Sequence, residues 1–341
     1  MVIGTVPERH EEARRAGEVL RAVLPASAEM RVLGARGPII EVKLAGRRLR
    51  VAWAGEGWIR QIRALLAGGR PHPDVIAARR MSPGAKAALA PEGIGWVDEL
   101  GNAEISIGSL IVSRTGRGEA VSPASPKWTP AVMAIAEALL CGTAGTVAAT
   151  EAASGLSTGS CTNALGTLTE LGLLARDAAR GRGSARRVVE GDALLDAYAT
   201  AATTLAPKER LAVGVTWRDP IAGLVDLGRG WEAFGIEWAA TGAAGRAVLA
   251  PLLTNVTSAV VYVNATTIAE LEMAARKVDL EPIEGGRLTL RPFPTVSVRR
   301  LAEPVDGLRV APWPRVYVDL RGTGVRGEEA AEHLREVRRG P

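Results

Sequence analysis

The stretch 128–190 constrains the fold of this chain most, because its patterning indicates short helices followed by a basic hairpin. Residues 130–141 place apolar side chains at helical spacing, and Pro130 suits the first turn of a helix. A second short apolar helix is expected at about 147–153. The apolar positions of the first helix are Val132, Ile135, Ala136 and Leu139.

A tight turn and a third helix are predicted next. Gly155 suits the turn, and Ser157 or Thr158 can cap the helix that follows. This helix is expected at about 158–171, and Gly172 is expected to end it. Its core positions are Leu165, Leu168 and Leu171.

A basic hairpin completes the stretch. The sequence predicts a strand at 173–177, a tip rich in glycine and arginine at 179–187, and a return strand at 188–189. Two helices, a turn, a third helix and a basic hairpin, in that order, predict a winged helix-turn-helix domain over 128–205.

Such a domain binds double-stranded DNA for a geometric reason. A helix about 10–12 Å across fits the major groove, where its N-terminal residues meet base edges. Asn163 can pair with adenine through two hydrogen bonds. The candidate residues of the third helix are Ser157, Thr158, Ser160, Thr162 and Asn163. The hairpin carries five arginines and a single acid, Asp177, so its charge suits phosphates or a narrow minor groove. The arginines are Arg176, Arg180, Arg182, Arg186 and Arg187.

Composition sets broader limits. A chain of 341 residues, 47% of them hydrophobic, can form two or three domains. Only five of its 42 lysines and arginines are lysines, so the arginine content reflects general composition. The net charge of +5 is therefore weak evidence for nucleic acid, and local clustering counts for more.

Cysteine usage and hydropathy indicate a cytoplasmic protein. Cys141 and Cys161 fall in predicted helices, which argues against a disulfide framework. The histidines are scattered, so no zinc or other metal site is predicted, and no cofactor motif is seen. Because no run of about 18 apolar residues occurs, no membrane partner is expected.

Two further domains flank the predicted DNA-binding domain. Residues 116–127 are rich in glycine, serine and proline and are typical of a linker. Before the linker, 1–115 alternates helices and strands, which predicts a layered α/β sheet domain. After the DNA-binding domain, 206–341 is expected to form a second α/β domain, with strands at 258–263, 287–291 and 315–320.

Three segments of the chain resemble AbiEi-family antitoxins and transcriptional regulators. Residues 81–102 are similar to the N-terminal domain of that family, which resembles restriction-endonuclease folds. The similarity lies in Met-Ser-Pro-Gly-Ala-Lys and in the later Gly-Ile-Gly-Trp-Val-Asp-Glu-Leu-Gly-Asn. Residues 238–250 resemble an internal helix of the family's antitoxin domain. Residues 310–335 resemble its closing strand and helix.

The resemblance carries functional expectations. It implies an endonuclease-like first domain, an antitoxin-like C-terminal domain and autoregulation of transcription. It also implies neutralisation of a nucleotidyltransferase-like toxin in a type IV toxin-antitoxin system, although no residue in the sequence indicates a toxin interface.

The endonuclease-like fold raises an alternative, a magnesium-dependent enzyme acting on DNA. Such nucleases place an acid on one strand and a carboxylate-x-lysine motif on the next. Glu41-Val42-Lys43 has that motif, but on the first strand of its pair, and 49–57 carries no carboxylate-lysine pair where one is expected. We therefore predict a non-catalytic fold reused for docking or DNA contact.

The C-terminal acids do not indicate a second catalytic centre. A nucleotidyltransferase needs two closely spaced carboxylates beside a Gly-Ser loop to hold its metals, and no such pair is seen; the notable acids of this region are Asp219, Asp226 and Asp319. If 315–320 is a strand, Tyr317 and Asp319 share a face, and a structural hydrogen bond explains them as well as a functional site does. Five arginines of this region either extend a DNA-facing surface or are scattered charges in solvent: Arg246, Arg299, Arg300, Arg321 and Arg326.

The sequence thus predicts a sequence-specific transcriptional regulator, a repressor or autoregulator, with three other interpretations open. One is the endonuclease-fold enzyme. The second is a repressor that senses a small molecule, and the third is a general nucleoid-associated protein without sequence preference. A homodimer also stays open, because the apolar face of the helix predicted at 8–24 is either a dimer surface or core.

Overall fold

The computed structural model describes residues 6–25, 28–36, 39–44, 46–68, 72–108, 110–115, 128–176, 185–205, 207–251 and 256–339. The chain folds into two compact units, Met1–Pro123 with Gly324–Glu329 and Ala124–Thr323 with Ala330–Pro341. Each unit combines helices with a mixed sheet, which confirms the mixed α/β class. The linker predicted at 116–127 lies outside the described residues.

The first unit is built on a seven-stranded sheet whose strands follow chain order. Strand β4 pairs in parallel with β3 and β5, and the other pairs are antiparallel. The elements are α1 (Val6–Val23), β1 (Met30–Arg36), β2 (Ile39–Leu44), β3 (Arg47–Trp53), α2 (Ile59–Ala67), β4 (Val75–Ala78), α3 (Pro83–Leu89), β5 (Gly95–Asp98), β6 (Ala103–Ile107) and β7 (Leu110–Arg114).

Helices cover both faces of this sheet because successive strand residues point to opposite sides. Val75 and Ala77 of β4 pack in the cluster that contains α1, whereas Ile76 and Ala78 pack in the cluster of α2 and α3. The apolar face of α1 is core rather than free surface, since Leu20 is fully buried.

A buried carboxylate in the first unit accepts hydrogen bonds at the starts of helices α2 and α3. Glu328, in the segment Gly324–Glu329, accepts hydrogen bonds from Ser82 Oγ at 2.7 Å and from the Gly84 amide at 2.9 Å. The Ile59 amide donates to the same carboxylate at 3.1 Å. Backbone amides at two helix starts are thus satisfied by one negative charge, which the helix dipoles also favour.

The second unit contains a three-helix group, a two-stranded hairpin and a six-stranded mixed sheet of order β10-β13-β12-β11-β15-β14. One apolar core is shared by the three-helix group and the larger sheet. The elements are α4 (Pro130–Leu140), α5 (Val147–Ser154), α6 (Thr158–Glu170), β8 (Leu174–Arg176), β9 (Arg186–Val188), α7 (Gly191–Leu205), β10 (Leu211–Val213), α8 (Pro220–Ala233), β11 (Trp238–Thr241), α9 (Gly242–Leu249), β12 (Ala259–Val263), α10 (Ile268–Arg276), β13 (Leu288–Pro292), α11 (Val296–Arg300), β14 (Glu303–Val305), β15 (Leu308–Val310), α12 (Trp313–Arg321) and α13 (Val325–Arg339), of which Val325 to Glu329 belong to the first unit.

Two expectations for the C-terminal region are wrong. The strand predicted at 315–320 is part of helix α12, where Pro314 occupies the first turn. Most of α12 is buried, so its apolar run has no exposed face that would reveal a helical period. Residues 238–241, the first part of the segment that resembles an internal helix, form strand β11 instead, and the helix starts at Gly242.

The change from strand to helix separates Tyr317 from Asp319. Tyr317 donates a hydrogen bond to Glu332 Oε1 at 2.9 Å. Asp319 instead accepts from Thr241 Oγ1 and from Tyr262 Oη, each at 2.6 Å. The two side chains therefore take part in separate hydrogen-bond networks and do not share a face.

Candidate nucleic-acid interface

Helices α4, α5 and α6 form the core of the candidate interface. Helix α6 buries Cys161, Leu165 and Leu168, which are in the same apolar cluster as Ile135 of α4. The predicted helices at 130–141, 147–153 and 158–171 are confirmed to within one residue at each end. With its apolar side packed inward, α6 keeps its opposite side at the surface.

The turn between α5 and α6 is fixed by local hydrogen bonds. Gly155 has a φ of 71°, the left-handed conformation that favours glycine. Buried Ser154 Oγ donates to the Thr150 carbonyl at 2.6 Å and accepts from the Leu156 amide at 3.3 Å. Ser157 Oγ then caps α6 by accepting from the Ser160 amide at 3.3 Å. The roles predicted for Gly155 and Ser157 are confirmed.

The N-terminal half of α6 presents a polar surface. Ser157, Thr158, Thr162 and Asn163 are exposed, and Ser160 is half-buried. Thr158 Oγ1 donates to Glu151 at 2.9 Å, and Thr162 Oγ1 donates to the Thr158 carbonyl at 2.8 Å. The side chain of Asn163 makes no hydrogen bond within the described part of the chain, so its donor and its acceptor are both available.

Strands β8 and β9 bring arginines together beside the three helices. Arg176 lies directly opposite Arg186 in the antiparallel register, and Arg187 is exposed. Burial, and then the Arg176 charge, lower the pKa of Arg186. Like charges opposite each other destabilise a strand pair, so an anion bound here would stabilise the hairpin. Asp177 at the end of the predicted strand, and Arg180 and Arg182 of the predicted tip, lie outside the described residues.

The hairpin is attached to the loop that joins α4 to α5. The Arg186 amide donates to the Gly145 carbonyl at 2.9 Å, which forms an antiparallel bridge. A Cβ at Gly145 would lie 1.9 Å from the Arg186 carbonyl oxygen, so only glycine fits this approach. The bridge gives β9 a second hydrogen-bonded partner. It therefore fixes the position of the hairpin arginines relative to the three helices.

A buried glutamate connects α4 to two other helices of the second unit. Glu137 is fully buried and accepts hydrogen bonds from Tyr198 of α7, from Thr295 Oγ1 at 2.6 Å and from Ser297 of α11. Burial raises the pKa of Glu137, although the three hydroxyl hydrogen bonds oppose the shift. These contacts hold α11 against α4.

One arginine of α11 reaches the helix-turn-helix. Arg300 is exposed, and its Nη2 donates to the Ala152 carbonyl of α5 at 3.1 Å, next to the turn at Gly155. The sequence has no local signal for this position, because the two residues are 148 apart in the chain. By contrast, Arg246 and Arg321, which the sequence allowed on a DNA-facing surface, are buried side chains.

The remaining acids named from the sequence have structural contacts. Asp219 caps α8 by accepting from the Ile221 amide at 2.9 Å, and Asp226 pairs with Arg229 at 3.2 Å on the surface. On β2, Glu41 lies opposite Arg50 of β3 in the register. Within the described residues no group of three or more His, Cys, Asp and Glu side chains is placed to hold a metal ion.

Comparison of the chain with protein families, curated proteins and solved structures gives no match. Within the described ranges, no helix is long and apolar enough to cross a membrane. The functional argument therefore depends on the geometry of the helices, turn and hairpin.

Proposed function

We propose that this protein is a sequence-specific, double-stranded DNA-binding transcriptional regulator that reads DNA with α6. The observation that carries the proposal is the pairing of two surfaces in the second unit. The N-terminal half of α6 is polar and exposed, and the hairpin beside the three helices carries arginines. This is the element order of a winged helix-turn-helix domain.

The proposed division of work follows from the chemistry of each surface. Asn163 can donate to and accept from an adenine edge in the major groove, so it is the proposed reader of sequence. Arg176 and Arg187, on the hairpin and away from α6, supply positive charge for phosphates. The exposed N-terminus of α6 adds backbone amides that favour a phosphate.

Glu151 argues for a defined docking position. Its carboxylate accepts a hydrogen bond from Thr158 beside the N-terminus of α6. A DNA phosphate that came close to this carboxylate would be repelled. A duplex must therefore approach α6 so that the backbone avoids Glu151 and reaches the hairpin. Arg300, beside the turn, offers a compensating positive charge on the α5 side.

The first unit is proposed to act without catalysis. Strand β3, over Arg47–Trp53, has no carboxylate-lysine pair. On β2, the side chain of Val42 packs in the core that contains α1. Its strand neighbours Glu41 and Lys43 therefore point to the opposite face of the sheet. The antitoxin role and the nucleotidyltransferase-like toxin stay predictions from the family resemblance.

Substituting Asn163 with alanine is expected to relax base preference at one position by about 1–3 kcal/mol, because alanine cannot form the two hydrogen bonds to adenine. The measurement is selection of binding sites from a random duplex library, with the parent and Asn163→Ala proteins in parallel. The motif selected by the parent should contain an adenine that is absent from the motif selected by the variant. The affinity of the variant for the DNA backbone should equal that of the parent.

The matched control is Asn264→Ala. Asn264 is also exposed, but it follows β12 of the larger sheet and lies outside the three-helix group. Its removal should leave the motif unchanged. If Asn163→Ala selects the parent motif at every position, Asn163 is not a reader of bases and the proposed docking of α6 is wrong.

A further inference from the structure

A cavity of about 390 Å³ lies behind the hairpin in the second unit. Its walls come from the end of α4, from Val188 of β9, from the start of α7 and from α12 and α13. That volume is within the range of small-molecule sites in proteins, which is about 300–1,000 Å³. The cavity lies apart from the exposed face of α6 and takes no part in the proposed DNA contacts.

The lining contains an arginine with unsatisfied hydrogen-bond donors. Arg335 is 1% exposed, and its Nη1 has no hydrogen-bond acceptor. Its Nη2 is occupied by Asp196, while Glu332 lies 3.6 Å from its Nε. A buried guanidinium nitrogen without an acceptor is costly, but less than 1 Å² of Nη1 is accessible, so a ligand does not reach this atom directly and its charged partner must lie at the rim.

Charge at the cavity favours an anionic acceptor. Arg338 is exposed and makes no hydrogen bond or ion pair within the described residues. Arg339 is already paired with Asp192, which neutralises that acid. A carboxylate would gain attraction from Arg338 at the rim, where a neutral carbonyl would gain only a hydrogen bond. Glu190, also on the lining, would repel a ligand with more negative charge.

The rest of the lining is apolar. Leu139 and Leu195 are buried, and Leu140 and Trp313 are half-buried beside them. The Trp313 indole is held in place because its Nε1 donates to the Leu140 carbonyl at 3.2 Å. A ligand with a flat hydrocarbon body would fill this wall and remove apolar surface from water.

From these contacts we infer that the cavity is a binding site for a small monocarboxylate with an apolar, ring-containing body. The carboxylate lies on Arg338, and the ring lies between the leucines and Trp313. The site gives the small-molecule-sensing alternative a location that the sequence did not indicate. It is independent of the proposed DNA contacts and can be tested on the free protein.

The test is isothermal titration of the full chain with 2-naphthoate, with 2-naphthamide as its neutral isostere. We expect saturable binding of one naphthoate per chain and at least tenfold weaker binding of the amide. Arg338→Ala, an exposed change, should weaken naphthoate binding at least fivefold without lowering the melting temperature. Arg229→Ala, an equal loss of charge on α8, should bind naphthoate as the parent does.

Leu140→Trp provides a second test, because it reduces the volume of the cavity without removing a charge. It should abolish naphthoate binding while the circular dichroism spectrum stays that of the parent. The inference is overturned if naphthoate shows no saturable binding, if the amide binds equally well, or if Arg338→Ala and Leu140→Trp both bind like the parent. None of these outcomes bears on DNA binding, which is measured separately.

Discussion

Replacing Asp319 with alanine is expected to destabilise the second unit by about 3–5 kcal/mol, because it leaves the buried Arg315 guanidinium without its main counter-charge. Arg315 Nη2 lies 2.5 Å from Asp319 Oδ1, and the two side chains are only 3% and 7% exposed. The same carboxylate accepts from Thr241 and Tyr262. Chemical denaturation of the two proteins, followed by circular dichroism, measures the difference.

Two variants separate this cause from a general effect of mutation. Asp226→Ala removes an acid that is 75% exposed and paired with Arg229, and it should change stability by no more than about 0.5 kcal/mol. Arg315→Met combined with Asp319→Leu removes both buried charges and should recover part of the loss. A loss below about 1 kcal/mol in Asp319→Ala would contradict the structural role of the pair.

The same pair predicts a pH dependence. Burial acts to raise the pKa of Asp319, but the Arg315 charge and the hydrogen bonds outweigh it and hold the pKa below the ordinary aspartate value. The stabilisation is therefore complete above the ordinary value and is lost as pH falls through the lowered one. The acid limb of the parent's stability curve should be steeper than that of Asp319→Ala.

The second large effect concerns DNA affinity. Replacing Arg176, Arg186 and Arg187 with glutamine is expected to flatten the slope of log affinity against log salt by about 2.7, at about 0.9 for each phosphate that is no longer neutralised. At 0.1 M salt this corresponds to a loss of about two to three orders of magnitude in affinity. Fluorescence anisotropy over a salt series measures both quantities.

The control removes the same charge elsewhere. Arg14, Arg229 and Arg276 are exposed arginines on α1, α8 and α10, each paired with an acid on its own helix. Their triple glutamine variant should keep the parent slope within error. An unchanged slope in the hairpin variant would reject the hairpin as a phosphate-binding element. Preference between duplexes should persist in the hairpin variant, because phosphates carry no sequence information.

The helices of the candidate interface were predictable because their signals are local. Proline at 130, glycine at 155 and serine at 157 stand at the ends of segments whose apolar residues repeat with a helical period. Each of these signals lies within a few residues of what it determines. The predicted bounds are therefore close to the observed ones.

Features that depend on distant residues were not predictable. Helix α12 is buried among other elements, so its apolar run does not distinguish a strand from a helix. Strands β10, β14 and β15 are three residues each and too short to show alternation. The same limit applies to tertiary hydrogen bonds: neither the bridge between Gly145 and Arg186 nor that between Arg300 and Ala152 has a local signal.

The buried arginine of the cavity shows this limit most clearly. Arg335 stands in a charged stretch for which the resemblance implies a helix but nothing in the sequence indicates burial. Only the packing of α13 against α7 and α12 buries it with Asp196 and Tyr317. Such burial of an arginine is rare without a paired acid, and Asp196 comes from an element distant in the sequence.

The central claim is that this protein prefers one DNA sequence over others through α6. The most direct measurement is equilibrium competition at 0.15 M salt between the duplex obtained by selection and a shuffled duplex of equal length and composition. We expect the parent to bind the selected duplex at least about 10³-fold more tightly. Equal affinity for the two duplexes would contradict the account and indicate a protein that binds DNA without regard to sequence.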